Sequence, residues 1–308
     1  MFDVRWTRLR FKIELLEDSY LPTQKNSALR GGMGAVLISY FCINKGQCKE
    51  CLMGENCVVQ NIMNPKLEVE LPFTKNANTS SPGFVIECMD YKNEYKKGDI
   101  IQFDLLIFAK TLNYIPQFIF AFDKLGEKGF GKNRAKYRLD GIYNKEDKLI
   151  FKDGVFFKEN LMILKLSDYI LERQKQINNI KIVQFITPFR FMKNNKLVDD
   201  IEFKDFIISL QRRISILNAL EGRMINNFET DDLGEIVEKN IYWTEFKRYS
   251  SRQKSAMKLG GIKGRISFSS DINNFKELVI AGELTHIGKN TSFGLGKYVI
   301  EEGSDIIE

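Results

Sequence analysis

The chain opens on an alternation. In TRLRFKIEL, residues 7–15, the apolar Leu9, Phe11, Ile13 and Leu15 alternate with Arg8, Arg10, Lys12 and Glu14. A repeat of two sends the sets to opposite faces of a strand, one buried and one mostly basic. Past the turn LPTQKN the spacing changes. Leu29, Met33, Val36 or Leu37, and Tyr40 recur at helical intervals, which predicts a helix over ALRGGMGAVLISYF with Ser27 as its cap. Gly31, Gly32 and Gly34 are poor helix formers, so their place there predicts close backbone approach, to a sheet or to a phosphate. IIQFDLLIF (100–108) alternates again, with Gln102 and Asp104 outward. Residues 114–125 read as a helix. GEKGFGKNRAKYRL is a glycine turn into a strand with Arg134, Lys136 and Arg138 on one face, and KLIFKDGVFFK is a hairpin turning at Asp153-Gly154.

The polar stretch ERQKQINN (172–179) predicts a linker, and beyond it the order repeats. IKIVQFITPFRF (180–191) is a strand. Phe206, Leu210, Ile214 and Leu217 mark an amphipathic helix. KGRISFS is a strand with Lys263 and Arg265 on one face. Phe275, Leu278 and Val279 begin another helix, followed by a glycine-rich loop and a last strand, KYVIEE. Each half therefore reads strand, helix, strands, helix, glycine turn, strand. The turns KGFGKNRAKY and SFGLGKYVI correspond. The expected fold class is α+β, a duplicated βαββαβ unit: residues 1–175, with a cysteine-rich loop at 42–57, and residues 180–308.

Bulk composition narrows the function only a little. With 44% hydrophobic and 28% charged residues among 308, the chain can bury a core. Lysine and arginine outnumber acids 46 to 40, which permits an anionic partner where the bases cluster. No apolar run is long enough to span a bilayer, and MFDVRWTRLR interrupts its apolar residues with arginines, unlike a signal peptide. The expected location is cytoplasmic, where thiols stay reduced.

Several motifs come close to known chemistry and miss. Gly126 to Asn133 nearly spells a phosphate-binding P-loop but lacks the metal-holding Ser or Thr, and it leads from helix to strand, the reverse of what that loop requires. Phe293-Gly-Leu-Gly-Lys-Tyr lacks the third glycine of a dinucleotide fingerprint. No nucleotide cofactor is expected. Lys128-Gly-Phe-Gly opens like the aromatic octamer of RNA-recognition motifs, but the stacking aromatics do not follow. Cys42, Cys48, Cys51 and Cys57 share one short loop with a CxxC at its centre. Four thiolates suit a tetrahedral structural zinc; an iron–sulfur cluster and a set of reduced, packed thiols are the alternatives. Asp199-Asp200 and Asp231-Asp232 fit helix-start capping better than two-metal catalysis. His286, the sole histidine, precedes a cationic glycine loop whose amides could close round phosphates, and its ordinary pKa suits proton transfer.

The second half resembles a known family. WTEFKRYSSRQ (243–253), LGGIKGRI (259–266) and HIGKNTSFGLGKY (286–298) are similar to the CRISPR repeat-processing endoribonucleases of the RAMP superfamily. ITPFR (186–190) with the following QRRI helix matches the start of the same C-terminal domain, and LRGGMG (29–34) and the cysteine loop are similar in the first half. The resemblance is strongest over 180–298 and poor over 139–172. It implies tandem ferredoxin-like (RRM-like) domains, a CRISPR repeat RNA as substrate, and cleavage that needs no metal: the ribose 2′-hydroxyl attacks the adjacent phosphate, leaving a cyclic phosphate and a 5′-hydroxyl. Other subunits of a CRISPR effector complex are implied as possible partners. Many relatives place a catalytic histidine near the first helix, and residues 24–40 hold none. Three readings follow: His286 is the base, a lysine such as Lys25 is, or the chain binds RNA without cutting it. Under the first, Lys289 neutralises the phosphate, Thr291 and Ser292 donate hydrogen bonds, and Tyr249 orients a proton or stacks on a base. The expected RNA-binding set is Arg30, Arg190, Arg248, Arg252, Lys254, Lys263, Arg265 and the loop residues Lys289, Asn290, Thr291, Ser292, Phe293, Gly294, Gly296 and Lys297.

Overall fold

The computed structural model describes residues 1–48, 51–74, 81–193, 196–225, 234–250, 255–269 and 272–302; of 247–250 and 255–256 it describes the backbone. It is a mixed α+β fold with antiparallel sheets. The first unit contains β1 (Arg5–Leu15), α1 (Lys25–Phe41), α2 (Val58–Met63), β2 (Phe84–Glu87), β3 (Ile100–Phe108), α3 (Ile115–Lys128) and β4 (Tyr137–Tyr143). Its strands lie in the order β2-β3-β1-β4, and a hairpin of β5 (Leu149–Lys152) and β6 (Val155–Phe156) extends the β4 edge. The hairpin turns at Asp153-Gly154, as expected, with Lys152 paired to Val155. After α4 (Leu166–Gln174) the second unit follows: β7 (Ile182–Phe189), α5 (Phe203–Ala219), β8 (Ile236–Ser250), β9 (Ser255–Phe268), α6 (Lys276–Thr285) and β10 (Tyr298–Glu301). Its order is β8-β9-β7-β10, so the strands of the two units follow the same plan.

The alternation read in β1 is the one that builds the first core. Leu9, Phe11, Ile13 and Leu15 are fully buried, and the α1 residues Leu29, Met33, Val36 and Leu37 close over them with Phe118, Phe122 and Leu125 of α3. Each such side chain contributes roughly 1.5–3 kcal/mol by leaving water. The outward Arg10, in contrast, is paired with Asp104 at 3.1 Å and Asp147 at 3.0 Å, and Arg138 reaches Glu14 at 2.6 Å, so this basic face is neutralised locally. The second core is not confined to its own unit. Val183, Phe185, Phe206, Leu210 and Tyr298 share one apolar cluster with Val4, Trp6, Val85 and Phe108 of the first.

Four expectations need correction. The segment 172–179 is not a free linker: α4 runs to Gln174, and Arg173 clasps Glu283 of α6 at 2.9 and 3.1 Å. Helix α1 begins two residues before Ser27, at Lys25, with Gln24 at the cap position and no side-chain cap. Gly32 and Gly34 do allow close approach, but to helices. A Cβ on Gly32 would lie 2.6 Å from Leu125, and one on Gly34 2.9 Å from Met63. The strand KGRISFS is the end of a far longer arm, because β8 and β9 pair continuously from Glu238↔Ser267 to Ser250↔Ser255. Among the described residues no helix is long and apolar enough to cross a membrane.

Candidate nucleic-acid interface

Residues 286–297 run from the end of α6 to β10, and their glycines serve close packing. A Cβ on Gly296 would sit 1.8 Å from the Ile287 carbonyl oxygen, one on Gly288 2.5 Å from that of Arg190, and one on Gly294 2.3 Å from Asn26 of α1. All three take positive φ, near 79° or 74°, which a side chain would resist. The amides of Ile287, Lys289 and Gly296 donate to the carbonyls of Gly296, Arg190 and Pro188 at 3.1, 2.8 and 3.0 Å. Those of Phe293 and Gly294 donate within the loop, to Asn290 and Thr291. The expected flexible clamp is therefore a packed wedge in which these five amides already have acceptors.

His286 is not at an accessible edge. It is fully buried, its Nδ1 is 3.0 Å from the Leu295 carbonyl, and its Nε2 is 2.7 Å from Glu87 at the end of β2. Burial lowers the imidazole pKa against the raising effect of Glu87. Glu87 also receives Lys297 Nζ at 2.8 Å. Burial alone would raise the Glu87 carboxyl, but its bonds and charges to His286 and Lys297 prevail and hold it well below the carboxylate range. A histidine with no solvent contact and both ring nitrogens engaged cannot accept a proton from a ribose in this arrangement. Its position makes it a brace between the units. Lys25, the alternative base, is buried too. Its Nζ donates to the carbonyls of Asp90 at 2.8 Å and Lys92 at 2.6 Å, and burial lowers its pKa.

Most of the loop's polar side chains face the other unit. Arg30 donates to Ser292 Oγ at 2.9 Å and lies 4.2 Å from the Phe293 ring centroid, a cation–π contact. Thr291 Oγ1 is 3.3 Å from Ser81 Oγ, and Asn290 turns the chain in a left-handed conformation with φ 65°. These residues, expected to hold RNA, instead hold α1 and β2 to the loop. Arg213, which the sequence reading missed, completes the seam. It is buried, donates to the Thr285 carbonyl at 3.0 Å, Ser81 Oγ at 3.1 Å and the Pro82 carbonyl at 3.2 Å, and burial pushes its pKa down to about 9. Glu87 was missed as well, because a four-residue strand, FVIE, carries too little pattern to be read. Lys297 opens on a crevice of about 240 Å³ lined by Arg8, Glu87, Tyr169, Arg173 and Glu283. The basic residues there stand beside the acids Glu87 and Glu283, so the crevice is of mixed charge.

The outward groups lie on the second unit. Lys289 is exposed, Lys263 is half-buried, and neither forms an ion pair among the described residues. Arg190 is half-buried and donates to the Gly260 carbonyl at 2.9 Å; burial lowers its pKa. Arg265 is exposed and pairs with Glu301 at 3.2 Å. Arg248 and Tyr249 lie in β8, opposite Met257 and Ala256. Arg252 and Lys254 lie outside the described residues, and so do Asp231 and Asp232. Of the four loop cysteines, Cys42 follows α1 and Cys57 precedes α2; Cys42 Sγ accepts the Gly46 amide at 3.1 Å. Among the described residues no three His, Cys, Asp or Glu side chains gather as a metal site.

Residues 183–298, which span β7, the long β8–β9 arm, α6 and the glycine loop, match the CRISPR-associated endoribonuclease Cas6 family. Over this segment the chain is similar to that family. Residues 4–162, just over half of the chain, match the AF_1859_N N-terminal domain, and the chain belongs to that family. No curated protein matches it. A solved Cas6 product complex is 14% identical with a TM-score of 0.53, covering 96% of this chain and 99% of that one. Thermus thermophilus Cas6 is 12% identical with a TM-score of 0.50, covering 97% and 99%. A partial Cas6-RT-Cas1–Cas2 complex is 12% identical with a TM-score of 0.56, covering 98% of this chain but 47% of that one, so the chain spans about half that length. At such identities the likeness to solved Cas6 shows the shared fold.

Proposed function

We propose that the chain is an endoribonuclease that cuts CRISPR precursor transcripts within the repeat. The observation that carries this reading is the Cas6 family match over 183–298, which contains Arg190, Lys263 and Lys289 on the surface of the second unit. The repeated strand order supports tandem ferredoxin-like units as the scaffold. In the proposed step the ribose 2′-hydroxyl gives up its proton and its oxygen bonds to the adjacent phosphorus. The bond from phosphorus to the 5′-oxygen breaks, and that oxygen takes a proton. Cationic side chains suffice to stabilise the phosphorane charge, so the reaction is proposed to need no metal. With His286 withdrawn into the brace, Lys289 and Tyr249 are the groups left to carry proton transfer and charge. The cysteine loop is proposed to hold a structural zinc, which elemental analysis of the purified protein tests.

The test is incubation with the cognate repeat RNA in excess chelator. Cutting that leaves a cyclic phosphate and a 5′-hydroxyl supports the reading, and cutting that appears only on adding a divalent metal removes metal independence. A second reading, a repeat-binding subunit that does not cut, is favoured by the buried state of the only histidine. Tight binding with no cleavage under any condition would select it. Joining other subunits of a CRISPR complex is compatible with both readings.

A further inference from the structure

The chain has two tryptophans, and they are placed in opposite ways. Trp6 is buried in the core shared by the two units, with its Nε1–H donated to the Lys165 carbonyl at 3.1 Å. Trp243 stands on β8, the edge strand of the second sheet, with 39% of its surface in water. Leaving so large an apolar ring exposed calls for a reason. The ring is not loose. It lies against the bare backbone of Gly260 on β9, where a Cβ would come within 2.4 Å of its Cζ2 and 2.9 Å of its Nε1. A glycine here lets the indole lie down on the strand. Three residues along, Phe246 packs with Leu259, Phe293 and Leu295, which ties this part of the arm to the glycine loop.

A guanidinium is fastened beside that ring. The Gly260 carbonyl beneath it accepts Arg190 Nη1 at 2.9 Å, and the Arg190 carbonyl accepts the Lys289 amide at 2.8 Å. Gly260 and two carbonyls therefore join an exposed indole, a guanidinium and the backbone of the exposed Lys289. The other donors of Arg190 and the Lys289 ammonium have no protein acceptor among the described residues. A flat apolar face beside a guanidinium, with an exposed lysine on the adjoining backbone, suits an unpaired nucleotide: a surface for its base and charges for its phosphates.

We propose that Trp243 is a stacking platform for an unpaired base of single-stranded RNA, with Arg190 and Lys289 holding the flanking phosphates. This rests on the RNA-processing reading and adds to it a preference for an unpaired nucleotide at a defined place. The test uses the full chain with single-stranded cognate repeat RNA carrying a fluorescent label, and follows binding by label anisotropy and, separately, by tryptophan emission. Stacking on Trp243 quenches the emission. In Trp243→Phe the RNA-dependent quench disappears while affinity is largely kept, since phenylalanine still offers a ring. In Trp243→Ala affinity falls roughly 5- to 150-fold. Arg190→Ala and Lys289→Ala each lower the salt slope of binding by about 0.7. Binding without any quench, or Trp243→Ala binding as tightly as the parent, overturns the proposal and leaves the RNA reading standing. A parent protein that shows no anisotropy change with repeat RNA sinks the RNA reading, and the platform with it.

Discussion

Two glycine turns occupy the same place in the two units, between the last helix and the fourth strand, and they are used in opposite ways. In the first unit Lys132, Asn133 and Arg134 are exposed, and the turn is fastened by its own bridge between Phe130 and Ala135. In the second unit Thr291, Ser292 and Phe293 are buried, and the loop is wedged against α1 and β2. Both have glycines at positive φ and a lysine next to the last of them. Glycine and lysine in this order therefore signal a turn. Whether the turn is free for a ligand depends on what the rest of the chain lays over it.

The comparison is sharpest at Glu87, which has no counterpart in the first turn. Glu87→Ala leaves His286 and Lys297 facing an empty carboxylate site and is expected to cost about 3–5 kcal/mol of stability, as for a broken buried ion pair. Chemical unfolding measures it, and a loss near zero would mean that the wedge is not held by this cluster. Next come the glycines. Gly296→Ala meets backbone at 1.8 Å and should cost at least about 2 kcal/mol, whereas Gly131→Ala meets the Leu21 side chain at 3.1 Å and should cost about 1 kcal/mol, mainly from its positive φ. Equal losses would erase the contrast between wedge and free turn.

A smaller effect is expected from acid. The folded pKa of Glu87 is depressed, so its stabilisation is present above the unfolded carboxyl value and is lost as pH falls through that region and below. The folded pKa of His286 is depressed too, so the unfolded chain takes up a proton first as pH drops below about 6.5. Both push the same way. Unfolding midpoints should fall between pH 7.5 and 5.5 and fall further toward pH 4, and Glu87→Gln should flatten the lower part of that curve. The smallest effect belongs to the exposed turn: Lys132→Ala and Arg134→Ala should each change stability by less than about 0.5 kcal/mol and leave the pH curve unaltered.

The pattern of apolar positions made much of this legible. The alternation of Leu9 to Leu15, the helical spacing of Phe206 to Leu217 and the Asp153-Gly154 turn are local signals, and each forms the element it predicts. The repeat was legible for the same reason, since helix and strand periods survive in both halves. The candidate site was much less so. His286 reads as a solvent-edge proton shuttle only while Glu87, 199 residues away, is out of view. Arg30, Ser292 and Lys297 read as RNA contacts until their partners across the seam are seen. Trp243 was noticed only as part of a motif, and its setting on Gly260 beside Arg190 depends on strand register and on an unequal burial of the two tryptophans.

What the amino-acid order determined by itself is therefore the set of elements and their repetition, because backbone geometry and the exclusion of apolar faces from water act over a few residues at a time. Tertiary structure decided which charges remain available. A histidine, a lysine and an arginine keep the same chemistry wherever they stand, but burial and the nearest opposite charge fix whether that chemistry faces solvent or braces one half of the molecule against the other.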